Sequence, residues 1–262
     1  MNKATISDVF YTIDIGVNFA GKTYSSEKVG KIITESKDCV EKIITISNCL
    51  KEVPVNKKLC LDNTILYYTA GVHPHDAKSI KNNTDLDIIN TLVSDTKFVA
   101  VGECGLDYNR MFSPKEKQIQ VFDYQIKLAK KLGKPLYMHC RDAFDDFYQI
   151  LVSNGYYHGV VHCFTGNKVQ AEQLIKLGFY LGITGWLLDK RRNQDLVQAI
   201  KIIPLEKIMV ETDAPWLSID RKRESHPLDT GDIVYEIARL KLMDPIECGK
   251  QIYSNTKNFF KF

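Results

Sequence analysis

Five short apolar runs, each closing on a side chain able to bind a metal ion, restrict this chain more than any other feature. Phe98-Val99-Ala100-Val101 passes through Gly102 to Glu103. Leu136-Tyr137-Met138 runs into His139, and Gly159-Val160-Val161 into His162. Ile208-Met209-Val210 runs into Glu211-Thr212-Asp213, and Ile65 through Val72 leads to His73. Apolar runs of this length, rich in β-branched and aromatic residues, read as buried strands. Glu103 sits between Gly102 and Gly105, which let the backbone turn and open close access to whatever the carboxylate holds. A carboxylate at the tip of a buried strand is costly unless a cation or a hydrogen-bonded partner meets it. The pattern therefore asks for a fold that brings distant strand ends together.

Three further runs, at 12–18, 42–47 and 179–184, raise the number of strands to eight. Helical spacing fills the intervals at 25–38, 49–61 (started or interrupted by Pro54), 85–94, 143–153, 168–177, 194–203, 230–241 and 244–260. Ser113-Pro114 predicts a helix start, with the serine as cap and the proline in the first turn, and Gly133 its end. Eight alternations in 262 residues allow roughly 33 residues per unit, and no Pro- or Ser-rich linker interrupts them. This predicts an α/β protein, a (β/α)8 TIM barrel occupying 1–262 as one domain. A doubly wound open sheet is the alternative, and it would gather fewer strand ends at one place.

Composition narrows the setting. Lys and Arg number 35 against 32 Asp and Glu, a net charge of +3, which by itself does not argue for nucleic acid. Seven cysteines, an odd number with no C-x-x-C pair, predict reduced thiols and a reducing compartment. Residues 1–14 lack the apolar core of a signal peptide, and no run approaches the ~20 apolar residues of a membrane span. The expectation is a cytoplasmic protein away from the membrane, monomeric by default.

In a barrel, parallel strands deliver their C-terminal ends to one face. Glu103, His139, His162 and Asp213 lie tens of residues apart, useless for a local metal finger but natural for separate strand tips. Two imidazoles and two carboxylates suit Zn2+ or Mn2+, and Mg2+ with water completing the shell. Such a metal ion acidifies bound water and polarises a carbonyl or phosphoryl oxygen. Asp213 is the carboxylate expected to hold or accept the proton of that water. His73, rather than His75, is the histidine expected to face substrate or metal. Arg141, directly after His139, is placed to clamp a phosphate. Lys190-Arg191-Arg192 and Arg221-Lys222-Arg223 are either phosphate contacts or solvated charge. Trp186, Trp216 and Tyr108 are either stacking surfaces or loop packing. His158 reads as a polar-loop residue, Glu211 as a support or a buried hydrogen-bonding group, and Cys104, Cys140 and Cys163 as packing.

Gly71-Val72-His73-Pro74-His75, Val101-Gly102-Glu103-Cys104-Gly105-Leu106-Asp107, Met138-His139-Cys140-Arg141, Val161-His162-Cys163-Phe164-Thr165-Gly166 and Glu211-Thr212-Asp213-Ala214-Pro215-Trp216 resemble, in order, the signatures of the TatD family of metal-dependent deoxyribonucleases. The resemblance covers nearly the whole chain. It implies an amidohydrolase-like TIM barrel and metal-dependent hydrolysis of DNA phosphodiester bonds, chiefly from 3′ ends. The implied metal ligands are Glu103, His139, His162 and Asp213, with His73 close by. Most members carry D-x-H-x-H on the first strand; here it is Asp14-Ile15-Gly16-Val17-Asn18. The branch that holds TatD itself shares this loss. Asn18 or Asp14 could supply oxygen there, which favours a weakly held hard ion such as Mg2+. Members often carry Arg-Asn-x-Pro after the last strand, where this chain has Arg223-Glu224-Ser225-His226-Pro227, so substrate contacts from that loop are not carried over.

The expectation is a 3′–5′ exodeoxyribonuclease using a divalent metal ion and taking single-stranded DNA 3′ ends. Glu103, His139, His162 and Asp213 are its metal residues, and Glu103 and Asp213 its catalytic pair. His73, Arg141 and Asn18 are its substrate contacts. DNA repair and nucleic-acid turnover both fit such an activity. Two rivals use the same residues: an ester or amide hydrolase, such as a deacylase of charged RNA 3′ ends, and a nucleic-acid-binding barrel without catalysis.

Overall fold

The computed structural model describes residues 10–21, 24–219 and 223–262. Eight strands alternate with helical segments: β1 Thr12–Val17, α1 Ser26–Ser36, β2 Val40–Thr45, α2 Val53–Asp62, β3 Leu66–Ala70, β4 Phe98–Asp107, α3 Lys115–Leu132, β5 Leu136–Arg141, α4 Phe144–Asn154, β6 Gly159–Val161, α5 Lys168–Leu177, β7 Tyr180–Ile183, α6 Gln194–Ile202, β8 Ile208–Val210, α7 Thr230–Lys241 and α8 Pro245–Phe260. They form one sheet in the order β1-β2-β3-β4-β5-β6-β7-β8. A sheet in which every strand lies beside its sequence neighbours, with helical crossovers between, is the (β/α)8 class the sequence predicts. Every residue of β1 and of β4 is buried, as expected for parallel strands covered on both faces.

The chain gathers into two compact units. One comprises the chain up to Ile44, Cys163–Lys176, and the chain from Tyr180 onward; the other comprises Thr45–His162 with Leu177–Phe179. In the second unit β3, β4, β5 and β6 pair in parallel, and Phe122 of α3 stacks on Phe147 of α4 with ring centroids 5.2 Å apart. In the first unit β7 pairs with β8 in parallel, and Val17 at the end of β1 bridges to Ala214.

Four local expectations are corrected. β4 does not stop at Glu103 but continues to Asp107, because Cys104 to Asp107 pair with Met138 to Arg141 of β5. Ser113 does not cap α3. Its Oγ donates to the His75 carbonyl and accepts from the Lys78 N–H, so Pro114 takes the cap position and the helix begins at Lys115. The segment expected as a helix at 85–94 is a 3-10 turn, Asn83–Leu92, and a second 3-10 turn, Pro74–Ser79, follows His73. α2 starts at Val53, with Pro54 in its first turn, not at Cys49. No helix among the described residues is long and apolar enough to cross a membrane, and all seven cysteines are free.

Candidate metal centre

β4 brings Glu103 to the centre of the second unit. The backbone N–H of Glu103 donates to the Ser47 carbonyl at 3.1 Å, and the Ser47 hydroxyl donates to the Thr69 carbonyl at 2.6 Å. Asn56 donates to Ser47 Oγ from below. This buried polar layer holds the strand end without spending the carboxylate on it. Close approach of β5 demands glycine at 105, where φ is +135° and a Cβ would collide with the His139 carbonyl.

Three imidazoles surround Glu103 Oε1. His139 Nδ1 lies 3.0 Å away, His73 Nε2 3.4 Å and His162 Nε2 3.8 Å. Burial pushes the Glu103 carboxyl up, but the imidazoles of His73, His162 and His139 outweigh it and hold it well below the usual carboxylate range. Burial pushes the His73 imidazole down to about 3, so it is neutral. His73, Glu103 and His139 each offer a ligand atom within 4.8 Å of the others. The far side of each ring decides what the near side can do. His139 Nε2 lies 3.3 Å from Asp107 Oδ2, so its proton has a carboxylate acceptor and the Nδ1 lone pair is free to face a cation. Burial lowers the His139 pKa, but the Asp107 and Glu103 carboxylates raise it further, for a net rise. His162 Nδ1 lies 2.7 Å from Tyr137 Oη, and donation there leaves Nε2 to face Glu103. His73 differs. Its Nδ1 accepts the His75 backbone N–H at 3.0 Å, so the neutral ring carries its proton on Nε2. The donor set that fits a divalent ion is therefore one carboxylate, Glu103, with His139 Nδ1 and His162 Nε2, and His73 stands beside it as a hydrogen-bond donor.

Asp107 was quoted in a motif but given no role by sequence reasoning. It is fully buried, and its Oδ1 accepts the N–H groups of Asn109 and Arg110 at 2.9 and 3.0 Å. Its Oδ2 takes His75 Nε2 at 2.8 Å along with His139. Burial works against its charge, but these donors hold the carboxyl far below its usual range. The signal was its two-residue spacing beyond Gly105 and Glu103, which puts all three on one strand face. Two glutamines were also missed. Gln118 and Gln125, buried on α3, clamp the backbones of Asp107 and Val72 through both amide atoms. Polar side chains seven residues apart on the apolar face of a helix were the available sign.

Arg141 follows in β5, partly exposed and in register with Asp107. His158 lies in its loop against Tyr156, and Cys104 is buried with its Sγ toward the Val101 and Tyr137 carbonyls. Burial pushes the Cys140 thiol up to about 12, which leaves it inert. Tyr108 is occupied: its hydroxyl donates to Asp146 and Lys115 lies over its ring.

The strand ends of the first unit are arranged otherwise. Asp213, at φ +54°, receives Asn18 Nδ2 on its Oδ1 at 2.8 Å, and the same amide group faces the Asp213 and Ala214 carbonyls at 3.5 and 3.3 Å. Three oxygens around Nδ2 fix that amide's orientation. Asp14 is fully buried and accepts the N–H groups of Gly16 and Thr212 and, at 2.5 Å, the Thr212 hydroxyl. Burial raises its carboxyl to about 8 against these bonds. Glu211 accepts the Cys163 N–H at 2.6 Å. Both arginines of the 190–192 cluster pair with Asp189, and the Arg192 guanidinium lies 3.6 Å from the Trp186 ring centre, covering it. Arg223 makes a forked pair with Asp229; Arg221 and Lys222 lie outside the described residues. Trp216 is 56% exposed.

A (β/α)8 chain with a carboxylate ringed by imidazoles at its strand ends belongs to the class of metal-dependent hydrolase barrels. The family described as TatD related DNase matches residues 13–261, and this chain belongs to it. The chain is 33% identical over 255 residues to proteins of Escherichia coli and Shigella flexneri named 3′-5′ ssDNA/RNA exonuclease TatD, covering 94% of this chain and 98% of each relative. A solved TatD-family hydrolase from Entamoeba histolytica superposes with a TM-score of 0.86 at 27% identity, covering 96% of this chain and 98% of that one. The TatD homologue YjjV of Escherichia coli gives 0.88 at 25% identity over the same shares.

Proposed function

We propose that this chain is a metal-dependent 3′–5′ exonuclease that trims single-stranded DNA, with Glu103, His139 and His162 holding the divalent ion. The observation that carries the reading is the approach of His139 Nδ1 and His162 Nε2 to Glu103 Oε1, each ring held on its far side by Asp107 or Tyr137. Family membership and the names of the relatives support the substrate class. When bound, the ion supplies an acidified water and polarises a phosphoryl oxygen.

The residues divide the remaining work. His73, whose Nε2 lies 3.4 Å from Glu103 Oε1, lines the place of the scissile phosphate, and Arg141 offers a forked donor to a non-bridging oxygen. Asp213, whose carboxylate Asn18 orients, takes the role of proton acceptor for a water. Mg2+ is the proposed ion, since the first-strand histidines that would add soft ligands are replaced by Gly16 and Asn18. The seven free cysteines support a reducing, cytoplasmic setting, and the proposed working form is a monomer.

The test is release of nucleotides from a 3′-labelled single-stranded oligonucleotide. Chelation and Glu103→Gln are each expected to abolish it, and Mg2+ to restore it in the chelated wild type. Undiminished release after both would discard the reading. Turnover of an aminoacyl ester in place of DNA would favour the deacylase, and DNA binding without turnover in any divalent ion the non-catalytic barrel.

A further inference from the structure

The loop that follows β4 holds an aromatic ring in the open beside the histidine cluster. Phe112 is 53% exposed and Met111 46%, and Arg110 between them and Asn109 is exposed as well. Exposed apolar groups on a surface loop are common, but this loop is not loose. Asp107 Oδ1 fixes the N–H groups of Asn109 and Arg110, and Asn109 Nδ2 donates to Asp142 at 2.8 Å. Gln118 Nε2 donates to the Asp107 and Ser113 carbonyls, and Ser113 ties the far end to His75 and Lys78. Met111 sits at φ +48°, a conformation costly for a residue with a Cβ and kept because its neighbours are fixed on both sides.

That scaffold points the Phe112 ring against His75, edge to face, with centroids 4.8 Å apart. His75 is in turn 4.2 Å from the His73 ring and 6.4 Å from that of His139, and it is bonded to Asp107. The aromatic surface is thus two ring contacts from the candidate metal ligands, on the same unit. Arg110, exposed and two residues before Phe112, offers a guanidinium from the same loop, while the Asp146 carboxylate is taken by Lys115 and the Tyr108 hydroxyl and Asp142 is held by Asn109. Tyr108, another aromatic of this loop, has its ring covered by Lys115.

We propose that Phe112 is the stacking platform for a nucleobase at the 3′ end of the substrate, with Arg110 contacting the adjoining phosphate. The proposal rests on the nucleic-acid reading of the site. A rigid aromatic face accepts any base, because every base offers a π surface, so the platform reads the presence of a base and not its identity. A partner protein would equally value an exposed phenylalanine, but it would not distinguish an oligonucleotide with a terminal base from one without.

The experiment compares two single-stranded oligonucleotides, one intact and one abasic at its 3′-terminal residue, in both turnover and equilibrium binding. Binding is read with Ca2+ from quenching of 2-aminopurine placed at the 3′ end of the intact strand. The wild type is expected to show a KM at least fivefold higher for the abasic strand. Phe112→Ala should raise KM for the intact strand to the abasic level, erase the gap and lose the quenching, while Phe112→Trp restores both. Phe112→Leu, which keeps an apolar side chain without a π face, should behave as Phe112→Ala does. An unchanged gap in Phe112→Ala with turnover intact overturns the platform and leaves the nuclease reading standing. Quenching that depends on Phe112 without any turnover supports the platform and overturns the nuclease reading. Absence of both turnover and quenching in the wild type overturns both.

Discussion

Carboxylates stand at strand ends in both units of this chain, and they are met by different partners. In the unit that holds β4 and β5, Glu103 and Asp107 face imidazoles: His73, His139 and His162 around the first, His75 and His139 around the second. In the unit that holds β1 and β8, Asp14, Glu211 and Asp213 face backbone N–H groups, a threonine hydroxyl and the Asn18 amide. An imidazole can exchange its proton for a cation and leave the geometry in place. A backbone N–H or a side-chain amide cannot. The first arrangement keeps a place for a metal ion; the second uses its donors to fix the carboxylates themselves. Imidazoles thus gather at the strand ends of one unit and fixed hydrogen-bond donors at those of the other, where Gly16 and Asn18 stand at the end of β1.

Substitutions at each kind of strand end can break this contrast. The largest effect is expected from Glu103→Gln. Losing the metal and its several kcal/mol of charge stabilisation should lower kcat by about 10³-fold or more, and metal content should fall with it. Asp213→Asn should lower kcat by about 10²-fold or more while metal content stays near that of the wild type, as removal of a proton acceptor would. Equal loss of metal and rate would make Asp213 primarily a ligand. Asp107→Asn removes the carboxylate behind His139 and should weaken metal affinity by about 10- to 100-fold, read by calorimetric titration with Mn2+. Asn18→Ala should lower kcat about tenfold with little change in KM, because it frees the Asp213 carboxylate without touching the ion. A large loss of metal from Asn18→Ala would show that the two kinds of strand end are not separate.

The smallest effect on activity, and the sharpest on stability, concerns Asp14. Its folded pKa of about 8 lies above the model-peptide value of 3.8. The folded state therefore holds the proton that the unfolded state releases. The stabilising contribution is complete below pH 4 and is lost as pH rises toward 8, at up to about 1.4 kcal/mol per pH unit. Asp14→Asn should flatten that slope in the difference between variant and wild-type melting curves from pH 4 to 9. Identical slopes would mean the Thr212 and Gly16 donors keep Asp14 charged.

Much of this arrangement was open to sequence reading. Apolar runs ending at Glu103, His139 and His162 are local patterns, and burial makes a charged strand tip informative wherever it falls. What escaped was whatever depends on the reverse side of a group. Asp107 lies past the expected end of its strand, and only the continuation of β4 put it behind His139. Ser113 carries the local signature of a helix cap, yet a nonlocal bond to His75 outcompeted it. Gln118 and Gln125 gave no sign of what they clamp, because their partners lie on other elements. The basic cluster at 190–192 offered phosphate contacts on paper, and Asp189, one residue upstream, pairs with both of its arginines.

By itself, then, the sequence determined the number and order of strands and the barrel class, and it singled out the candidate residues at the strand ends, since these are written in hydrophobic periodicity and in residue type. The tertiary structure alone decided what each ring nitrogen faces. His73, His139 and His162 are the same residue, and what separates donor from ligand is the group on the far side of the imidazole: a backbone N–H, a carboxylate or a phenol brought there by another part of the chain.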